Sequence, residues 1–325
     1  MKKVGILFGG KSAEHEISLL SAKNIHDAID RTKFDPVLIK IEKSGQWQMD
    51  SVNQFDVIFP ILHGPFGEDG TIQGFLKLAD IPFAGTSVLG SAVGMDKDVM
   101  KRLLRDAQIP TGKFIVLKSH EQPPSFAEIT AALACGANPA PVFIKPANMG
   151  SSVGISKVTC EAEYRAALKE AFQYDTKVIM EEFIPGREIE CAVLGNEEPI
   201  ASVPGEIIPS HDFYSYDAKY IDDKGAALEI PAKIDEETTK KIQNMAIKVF
   251  QTLCCEGLSR VDFFLKDNGE ILVNEINTMP GFTKVSMYPK MWEAAGIGYT
   301  ELITRLIELA ISRFEKEKSL KTSVV

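Results

Sequence analysis

The sequence predicts a protein of the α/β class whose first part is a parallel β-sheet with flanking helices. Through roughly the first 95 residues, short apolar segments of strand length alternate with longer segments of helical character. This alternation is typical of βαβ units, in which a helix crosses over between two parallel strands. The hydrophobic content of 45% and the charged content of 25% are ordinary for a globular chain, and 325 residues correspond to about two or three domains.

The individual elements follow from hydrophobic periodicity: short apolar runs indicate strands, and apolar residues at helical spacing indicate helices. The helix predicted from residue 96 ends before Pro110, because the residue that precedes a proline favours an extended conformation. We predict strands at 4–8, 34–41, 56–63, 113–117, 141–146, 154–158, 177–183, 186–195, 260–265 and 270–276. We predict helices at 18–30, 71–79, 96–108, 125–134, 161–172, 236–253 and 300–314.

Composition excludes several classes of partner. A net charge of −9 argues against binding to nucleic acid or to an anionic membrane, so the positive charge for a phosphorylated ligand must be local. The N-terminal MKKVGILFGG predicts a first β-strand rather than a signal peptide, and no stretch approaches the ~18 apolar residues of a transmembrane helix. The five cysteines have no CxxC spacing, which favours buried thiols in a reducing cytoplasm over disulfides or zinc.

The first Gly-Gly turn places polar residues at the carboxyl edge of the predicted sheet. The segment GILFGGKS formally matches a P-loop, but Gly5 lies inside the only available strand, so the apolar residues after it cannot wrap phosphates. Ligands bind at the carboxyl edge of parallel sheets, which makes Glu14 a candidate site residue. An acid that interacts with the dipole at the start of a helix explains Glu14 equally well.

A second glycine-rich segment, HGPFGEDGTIQG at residues 63–74, directly follows a predicted strand. A plain loop needs fewer than four glycines, and their density indicates close approach to a ligand or to a neighbouring loop. His63 is therefore a candidate for orienting a ligand. Capping and turn roles explain Glu68 and Asp69 as well as a site does.

The segment IKPANMGSSVGISKV predicts a phosphate-binding turn between two strands. Lys145 ends the first strand, and residues 150–152 supply N–H and hydroxyl donors that can fold over phosphates as a lid. A lysine at a buried strand end is costly without an anion to neutralise it, and Lys97 adds a second local cation. The alternative interpretation is a surface hairpin.

The segment KVIMEEFIPGREIE predicts two strands joined by a short apolar hinge. Such a hinge can bind a planar base, because it provides apolar walls and backbone hydrogen-bond donors. Glu188 lies just beyond it, where a carboxylate could accept a hydrogen bond from a ribose hydroxyl. Strand–turn–strand segments are common, so this pattern indicates a nucleotide only together with the others.

The segment RVDFFLKDNGEILVNEINTMPG predicts a hairpin, because two short strands flank the turn signal Asp-Asn-Gly at 267–269. Glu275 and Asn277 are two residues apart and share one strand face, and Asp262 can lie opposite them. Two carboxylates and an amide oxygen suit Mg²⁺ with bound phosphates, whereas two acids without a cation would repel each other. The alternative, a solvated sheet face, fits poorly with the apolar neighbours of these residues. Arg260 shares the face of Asp262 and can contact a phosphate or an oxyanion.

The segment FYSYDAKY, residues 213–220, fits neither a buried strand nor an amphipathic helix. It contains three tyrosines, an aspartate and a lysine. Two interpretations remain open on the residues alone: a decorated surface loop, or a lid that brings a tyrosine and a lysine onto a substrate.

Taken in this order, the segments resemble the ATP-grasp superfamily, and more narrowly the D-alanine–D-alanine ligase family. The resemblance covers nearly the whole chain and rests on GGKSAEHEIS, HGPFGEDGTIQG, KPANMGSSVGI, FYSYDAKY and NEINTMPGFTKVSMYP. It implies a three-domain ATP-grasp architecture. The implied parts are a Rossmann-like domain for the first substrate at 1–95, a central subdomain with the phosphate lid at 96–185, and a C-terminal subdomain with the metal site and a mobile substrate loop at 186–325.

The resemblance also implies the activity. In this family, MgATP phosphorylates the carboxylate of one D-alanine, and the amine of a second D-alanine attacks the acyl phosphate to release phosphate. Phosphate transfer to a carboxylate brings two anions together, so metal ions and cations must screen their repulsion. The implied protein is a cytoplasmic homodimer that makes the dipeptide for peptidoglycan, with the apolar N-terminal unit as the candidate interface.

Motif matches within this resemblance assign the ATP and metal contacts. Two Mg²⁺ or Mn²⁺ ions are assigned to Asp262, Glu275 and Asn277. The phosphates are assigned to Lys97 and Lys145, beneath the lid at 148–154 that contains Ser151. The adenine and ribose are assigned to Glu181, Phe183, Ile184, Glu188 and Phe264.

The amino-acid contacts are assigned in the same way. Glu14 is assigned to the ammonium of the first D-alanine, with His63 near the same pocket. Arg260 and the backbone N–H of Gly281 are assigned to the oxyanion of the tetrahedral intermediate. The carboxylate of the second D-alanine is assigned to Lys219 and Ser286, and a latch to Ser151 and Glu14 is assigned to Tyr220.

Three alternatives stay in view. A D-alanine–D-serine or D-alanine–D-lactate ligase would use the same scaffold, but the family's hydroxy-acid ligases depart from tyrosine at the position that matches Tyr220. A dinucleotide-dependent oxidoreductase requires G-x-G-x-x-G after a strand, which the chain lacks. A non-catalytic nucleotide sensor would not need the complete acid–amide metal set.

Overall fold

The computed structural model describes residues 1–133, 141–209, 226–321 and 323. The described strands form three separate sheets. The first sheet lies in the predicted unit 1–95, the second in 96–185 and the third in 186–325. The chain is therefore a mixed α/β protein, with a parallel sheet at the N-terminus and antiparallel sheets after it.

The first sheet is parallel, as the sequence predicts. Its central strand β1 (Lys2–Gly9) pairs with β2 (Phe34–Ile41) on one side and with β3 (Val57–Ile61) on the other. Helix α1 (His15–Ala28) forms the connection between β1 and β2. Gly5 is paired on both sides inside β1, which agrees with the rejection of a P-loop at this point.

Two short helices follow the first sheet. Helix α2 (Thr71–Leu78) agrees with the prediction, whereas α3 (Val88–Met95) lies where the sequence predicts no element. Gly90 and Gly94 lower the helix propensity of α3 and obscure its pattern. Packing explains Gly94, because a Cβ there would lie 2.6 Å from Cγ2 of Thr278.

The second sheet is antiparallel. It consists of β4 (Phe114–Lys118), β5 (Val142–Pro146), β6 (Ser156–Val158) and β7 (Lys177–Glu182), in the order β4-β7-β5-β6. Helices α5 (Phe126–Leu133) and α6 (Glu161–Ala171) pack on it and share its apolar core. Helix α4 (Lys97–Asp106) precedes this sheet in the chain and carries two lysines that reach the site described below.

The third sheet is built from the strands β8 (Arg187–Gly195), β9 (Ile200–Ala201), β10 (Gly205–Pro209), β11 (Ala226–Glu229), β12 (Gly257–Leu265) and β13 (Ile271–Asn277). The order is β11-β10-β8-β12-β13, and β9 also pairs with β8. Strand β11 lies where the sequence predicts no element. The backbone of β11 pairs with β10, a long-range contact that periodicity does not report.

The two faces of the third sheet differ in chemistry. Helix α7 (Glu236–Thr252) covers one face, where its buried residues share a core with alternate residues of β8 and β12. The residues in between point to the opposite face, because side chains alternate along a strand. They include Glu188 and Glu190 on β8 and Arg260 and Asp262 on β12.

The last two helices connect the third sheet to the first. Helix α8 (Met287–Ala294) lies where the sequence predicts no element, and α9 (Tyr299–Lys318) extends the predicted final helix. Five buried residues of α9 share one apolar core with the first sheet: Leu302, Ile303, Leu306, Ile307 and Ala310. The C-terminal helix thus covers the N-terminal sheet, although the two are far apart in sequence.

Within the described residues, no helix is both long and apolar enough to cross a membrane. The described cysteines are free, and Cys191 and Cys255 are buried as predicted. Cys160 and Cys254 are exposed, so the expectation of buried thiols is wrong for these two. Both lie at helix ends, Cys160 at the start of α6 and Cys254 just after α7, where the chain is at the surface.

Candidate active site

A cavity of about 610 Å³ lies between the first sheet, the predicted lid and the polar face of the third sheet. Many of the predicted site residues line it together, although they come from distant parts of the chain. Those residues are Glu14, His63, Lys97, Ser151, Arg260, Glu275, Asn277, Gly281 and Ser286.

The predicted metal ligands lie on paired strands in the predicted arrangement. Asp262 of β12 is directly opposite Glu275 of β13, and Arg260 is opposite Asn277. Their side chains are largely shielded, with 13% of the Asp262 side chain and 31% of the Glu275 side chain exposed. This partial burial excludes the alternative of a solvated sheet face.

Cations neutralise both acids in this structure. Arg260 donates from Nε to Oδ1 of Asp262 at 2.7 Å and from Nη2 to Oδ2 at 2.8 Å. The Nζ of Lys97 lies 3.4 Å from Oε2 of Glu275. Burial lowers the pKa of Arg260, but Asp262, Glu190 and other acids outweigh it and raise the pKa well above its usual value. Each of the two carboxylates, Asp262 and Glu275, therefore already has a positively charged side chain beside it.

Lys97 also connects α4 to the base of the predicted lid. Its Nζ donates a 2.7 Å hydrogen bond to the carbonyl oxygen of Met149, and its backbone N–H donates to the carbonyl of Ala147. Only 6% of Lys97 is exposed. A buried ammonium between the lid and an acidic strand is well placed for an anionic group.

Lys145, a predicted phosphate ligand, is neutralised by an acidic side chain of the protein itself. It forms an ion pair with Glu181 on the neighbouring strand β7, and Lys101 of α4 lies 2.8 Å from the same carboxylate. Burial raises the pKa of Glu181, but the two lysines outweigh burial and lower the pKa to about 2. Lys101 was absent from the predicted site. Its position four residues after Lys97, on the same helix face, is the signal that could have found it.

The predicted nucleotide residues lie where the second sheet passes into the third. Ile184 is buried, and the ring of Phe183 faces the ammonium of Lys157 at 4.6 Å. Glu188 of β8 is directly opposite Phe264 of β12, so a carboxylate and an aromatic ring are neighbours on the same sheet face. This arrangement provides apolar and acidic groups beside the lysines described above.

Glu14 and Ser151 join the N-terminal unit to the lid. The hydroxyl of Ser151 donates to Oε1 of Glu14, and Ser151 and Ser152 both have left-handed backbone conformations, with φ of 52° and 61°. Gly64 lies on the other side of Glu14 with φ of 72°, and a Cβ there would be 3.0 Å from Oε2 of Glu14. The glycine-rich segment therefore does allow close approach, as its composition indicates.

His63 and Glu68 line the same end of the cavity. Burial lowers the pKa of His63, and Nδ1 lies 3.0 Å from the carbonyl oxygen of Met279. Glu68 accepts a 2.7 Å hydrogen bond from the backbone N–H of Gly64, which is one of the turn roles predicted for it. Burial, and next the negative charge of Glu14, raise the pKa of Glu68 to about 8. Glu68 therefore has a turn role and also faces the cavity.

Gly281 and Ser286 lie together at the start of α8. The hydroxyl of Ser286 accepts a 3.1 Å hydrogen bond from the backbone N–H of Thr283, and a Cβ on Gly281 would be 3.0 Å from that hydroxyl. Lys219 and Tyr220, which the resemblance assigns to the second substrate, lie outside the described residues.

Two family profiles match the chain. The profile described as "D-ala D-ala ligase C-terminus" matches residues 103–308, and "D-ala D-ala ligase N-terminus" matches residues 3–54 and 49–86. The chain belongs to the D-alanine–D-alanine ligase family. Its relatives in this ligase family include a D-alanine–D-alanine ligase of Oceanobacillus iheyensis, 51% identical over 99% of this chain and 98% of the relative. A D-alanine–D-alanine ligase A of Escherichia coli is 49% identical over 99% of both chains.

Solved structures of the ligase family share the fold. The D-alanine–D-alanine ligase of Coxiella burnetii superimposes with a TM-score of 0.86 at 37% identity, over 98% of this chain and 97% of the other. The Bacillus anthracis ligase in complex with ATP has a TM-score of 0.83 at 28% identity, over 98% and 100%. The VanG D-Ala:D-Ser ligase of Enterococcus faecalis has a TM-score of 0.82 at 38% identity, over 95% and 99%.

Proposed function

We propose that the protein is an ATP-dependent D-alanine–D-alanine ligase that supplies the dipeptide for peptidoglycan. The reaction passes through D-alanyl phosphate and gives ADP and phosphate. One observation supports the proposal: Glu275 and Asn277 of the predicted metal set line the same cavity as Glu14 and Ser151, which are joined by a hydrogen bond. Such a site can bind the phosphates of ATP next to an amino acid.

The acid–amide set fits divalent cations. Asp262, Glu275 and Asn277 offer hard oxygen donors on adjacent strands, and Mg²⁺ is commonly bound by one or two carboxylates plus substrate phosphates. Two bound Mg²⁺ or Mn²⁺ ions would screen the charge of the phosphates.

The ATP contacts proposed for the chain follow from the lysine positions. Lys97 and Lys145 bind phosphate oxygens, with the lid around Ser151 above them. Glu181 lies beside Lys145, and its carboxylate keeps that ammonium oriented. The adenine and ribose contacts are proposed for Glu181, Phe183, Ile184, Glu188 and Phe264.

The amino-acid contacts occupy the other end of the cavity. Glu14 binds the ammonium of the first D-alanine, with His63 beside it. The guanidinium of Arg260 and the N–H of Gly281 stabilise the oxyanion that forms when the second amine attacks. Removing one such donor typically lowers the rate by about 10²–10³. Ser286 and Lys219 bind the carboxylate of the second D-alanine.

Exclusion of water is essential, because D-alanyl phosphate hydrolyses if the cavity stays open. The Ser151–Glu14 hydrogen bond joins the lid to the N-terminal unit, and Tyr220 is proposed to complete that latch. The domain limits 1–95, 96–185 and 186–325, a homodimer, and a cytoplasmic location are part of the same proposal. No nucleic-acid or membrane partner is expected, given the net charge of −9.

A phosphate-release assay with D-alanine, D-serine and D-lactate as competing acceptors tests the proposal. We expect ATP turnover that depends on D-alanine, with D-alanyl-D-alanine as the main product. Turnover that is independent of D-alanine, or absent, would contradict the proposed function.

D-Alanine–D-serine ligation is the second candidate, favoured by the 38% identity to the VanG D-Ala:D-Ser ligase. D-Alanine–D-lactate ligation belongs to the same alternative. A dominant mixed product from D-serine or D-lactate in the competition assay would favour it over the main proposal.

Tyr220 is predicted to favour an amine acceptor over an alcohol. Replacing Tyr220 with Phe should raise the use of D-lactate relative to D-alanine, because the hydroxyl that completes the latch is lost. The ratio of kcat/KM values for the two acceptors, followed across pH, measures this effect. An unchanged ratio at every pH would remove Tyr220 from the specificity argument.

A further inference from the structure

Glu190 is a buried acid in the active-site cavity that holds none of the roles proposed above. It lies on β8, is 4% exposed and lines the cavity. In the strand register Glu190 is opposite Asp262, which is in turn opposite Glu275. Three carboxylates therefore form a row across three neighbouring strands. Residues directly opposite each other in a sheet have Cβ atoms about 4.5–5.5 Å apart, so these charges interact strongly.

Arg260 lies between two acids of this row. Its Nε is 2.7 Å from Oδ1 of Asp262 and 3.0 Å from Oε2 of Glu190. Nε carries a single hydrogen, and that hydrogen is directed to Asp262. The contact between Nε of Arg260 and Glu190 is therefore an ion pair that does not use this hydrogen. Glu190 is therefore a second acceptor within reach of the same donor.

The roles proposed for Asp262 compete with each other. As a metal ligand, Asp262 must direct its oxygen lone pairs towards the metal ions. As the partner of Arg260, it must direct the same oxygens towards the guanidinium. A buried charge that loses its partner strongly destabilises the protein. Arg260 therefore needs an anion that is not itself a metal ligand.

We propose that Glu190 is a positioning residue that keeps Arg260 at the oxyanion site while Asp262 binds metal. When Asp262 turns towards the metal ions, the Nε–H of Arg260 is redirected to Glu190, and the guanidinium keeps its place in the cavity wall. Glu190 acts through Arg260 and contacts no reacting atom. This inference rests on the proposed ligase function, because it assumes both the metal role of Asp262 and the oxyanion role of Arg260.

The kinetic test uses Glu190→Gln, which keeps the shape of the side chain and removes its charge. We expect kcat for D-alanine-dependent phosphate release to fall by about 10–100-fold, the range typical of residues that orient a ligand or metal partner. KM for ATP should change by less than about threefold, because the lost interaction acts mainly in the transition state. In an Arg260→Lys background, the same substitution should cause little further loss, since the two residues act as a unit.

The matched control is Glu206→Gln. Glu206 is also a buried acid of the third sheet, and it accepts hydrogen bonds from Nε and Nη2 of Arg187 at 2.7 and 2.5 Å. It lies on the strand next to β8, with its side chain on the face opposite to Glu190. This variant should keep the wild-type kcat. A Glu190→Gln variant with wild-type kcat, or with the same loss in both backgrounds, would overturn the inference.

A stability test needs neither turnover nor metal. Glu190→Gln, Asp262→Asn and the double variant are compared in urea without divalent cations. If either acid alone can hold Arg260, the double variant should shift the unfolding midpoint by more than the sum of the single shifts. Additive shifts would show that Glu190 does not replace Asp262. Absence of turnover in the wild type would overturn the proposed function, whereas an active wild type with an unaffected Glu190→Gln variant overturns only this inference.

Discussion

Glu68 and Glu181 are both buried glutamates of the active-site region, yet their pKa values shift in opposite directions. Burial raises the pKa of each carboxyl, and the neighbours then decide the outcome. For Glu68 the next contribution is the acid Glu14, and the pKa rises to about 8. For Glu181 the lysines at 101 and 145 outweigh burial, and the pKa falls to about 2. The sign of the adjacent charges, and not burial alone, therefore decides the direction in which the pKa of each carboxyl shifts.

Glu68 predicts a specific pH dependence of stability. Its pKa in the folded state lies above the unfolded value of 4.5, so the folded protein binds more protons between these two values. The free energy of unfolding should therefore decrease as pH rises from about 4.5 to about 8, and Glu68→Gln should remove this decrease. Urea unfolding of both proteins at about pH 5, 6.5 and 8 measures the difference. A variant whose stability declines in parallel with the wild type would contradict the prediction.

The site residues that could be predicted share one property: their spacing reports which way they point. Asp262, Glu275 and Asn277 alternate along strands, so the sequence alone placed them on one face. Lys101 and Glu190 are missing from the predicted site: helical spacing places Lys101 on the same face as Lys97, but the partners of Lys101 and Glu190 come from other elements. Lys101 contacts Glu181, and Glu190 contacts Arg260, only because strand pairing and helix packing bring them together.

At the scale of elements, helix α4 positions two buried lysines beside the proposed phosphate site. Lys97 and Lys101 lie one turn apart, and their ammonium groups reach Glu275 and Glu181 respectively. The helix begins at Asp96, whose Oδ1 accepts hydrogen bonds from the backbone N–H groups of Asp98 and Val99 at 3.1 Å.

Asp96→Ala should both destabilise the protein and weaken ATP binding. Loss of the cap removes about 0.5–2 kcal/mol from the free energy of unfolding, and the first turn that holds Lys97 loosens. KM for ATP should therefore rise several-fold. Asp235→Ala is the control, since Asp235 caps α7 by accepting from the N–H of Thr238 at 2.7 Å, away from the cavity. Its loss of stability should be smaller, because Asp96 also forms an ion pair with Lys177 at 2.5 Å, and KM for ATP should stay unchanged. Equal KM values for ATP in the two variants would show that the cap at Asp96 does not affect ATP binding.

At the scale of the whole molecule, the C-terminal helix α9 holds the N-terminal sheet in place. Its Arg313 is 8% exposed and donates to the carbonyl oxygens of Gly85 at 2.7 Å and Phe83 at 2.9 Å. The guanidinium also lies 4.6 Å from the ring centroid of Phe83. These contacts, with the shared apolar core, fix the N-terminal unit that supplies Glu14 and His63 to the site.

Arg313→Met should lower the free energy of unfolding by about 2–6 kcal/mol, because two buried carbonyl groups lose their donor at about 1–3 kcal/mol each. Urea unfolding measures the loss. Lys316→Met on the same helix is the control, since Lys316 forms an exposed ion pair with Glu197, and such pairs contribute about 0–1 kcal/mol. Similar losses for both variants would show that Arg313 adds no more than a surface contact.

The sequence by itself determined the fold class, the parallel N-terminal sheet, the hairpin of acids and the family. These features depend on local periodicity, turn residues and motif order, which are written in neighbouring residues. The tertiary structure alone decided the short helices α3 and α8, the packing of α9 on the first sheet, and the charge partners of Lys145 and Arg260. Each of these depends on contacts between residues far apart in the chain, and spacing along one segment carries no information about which distant side chain will meet it.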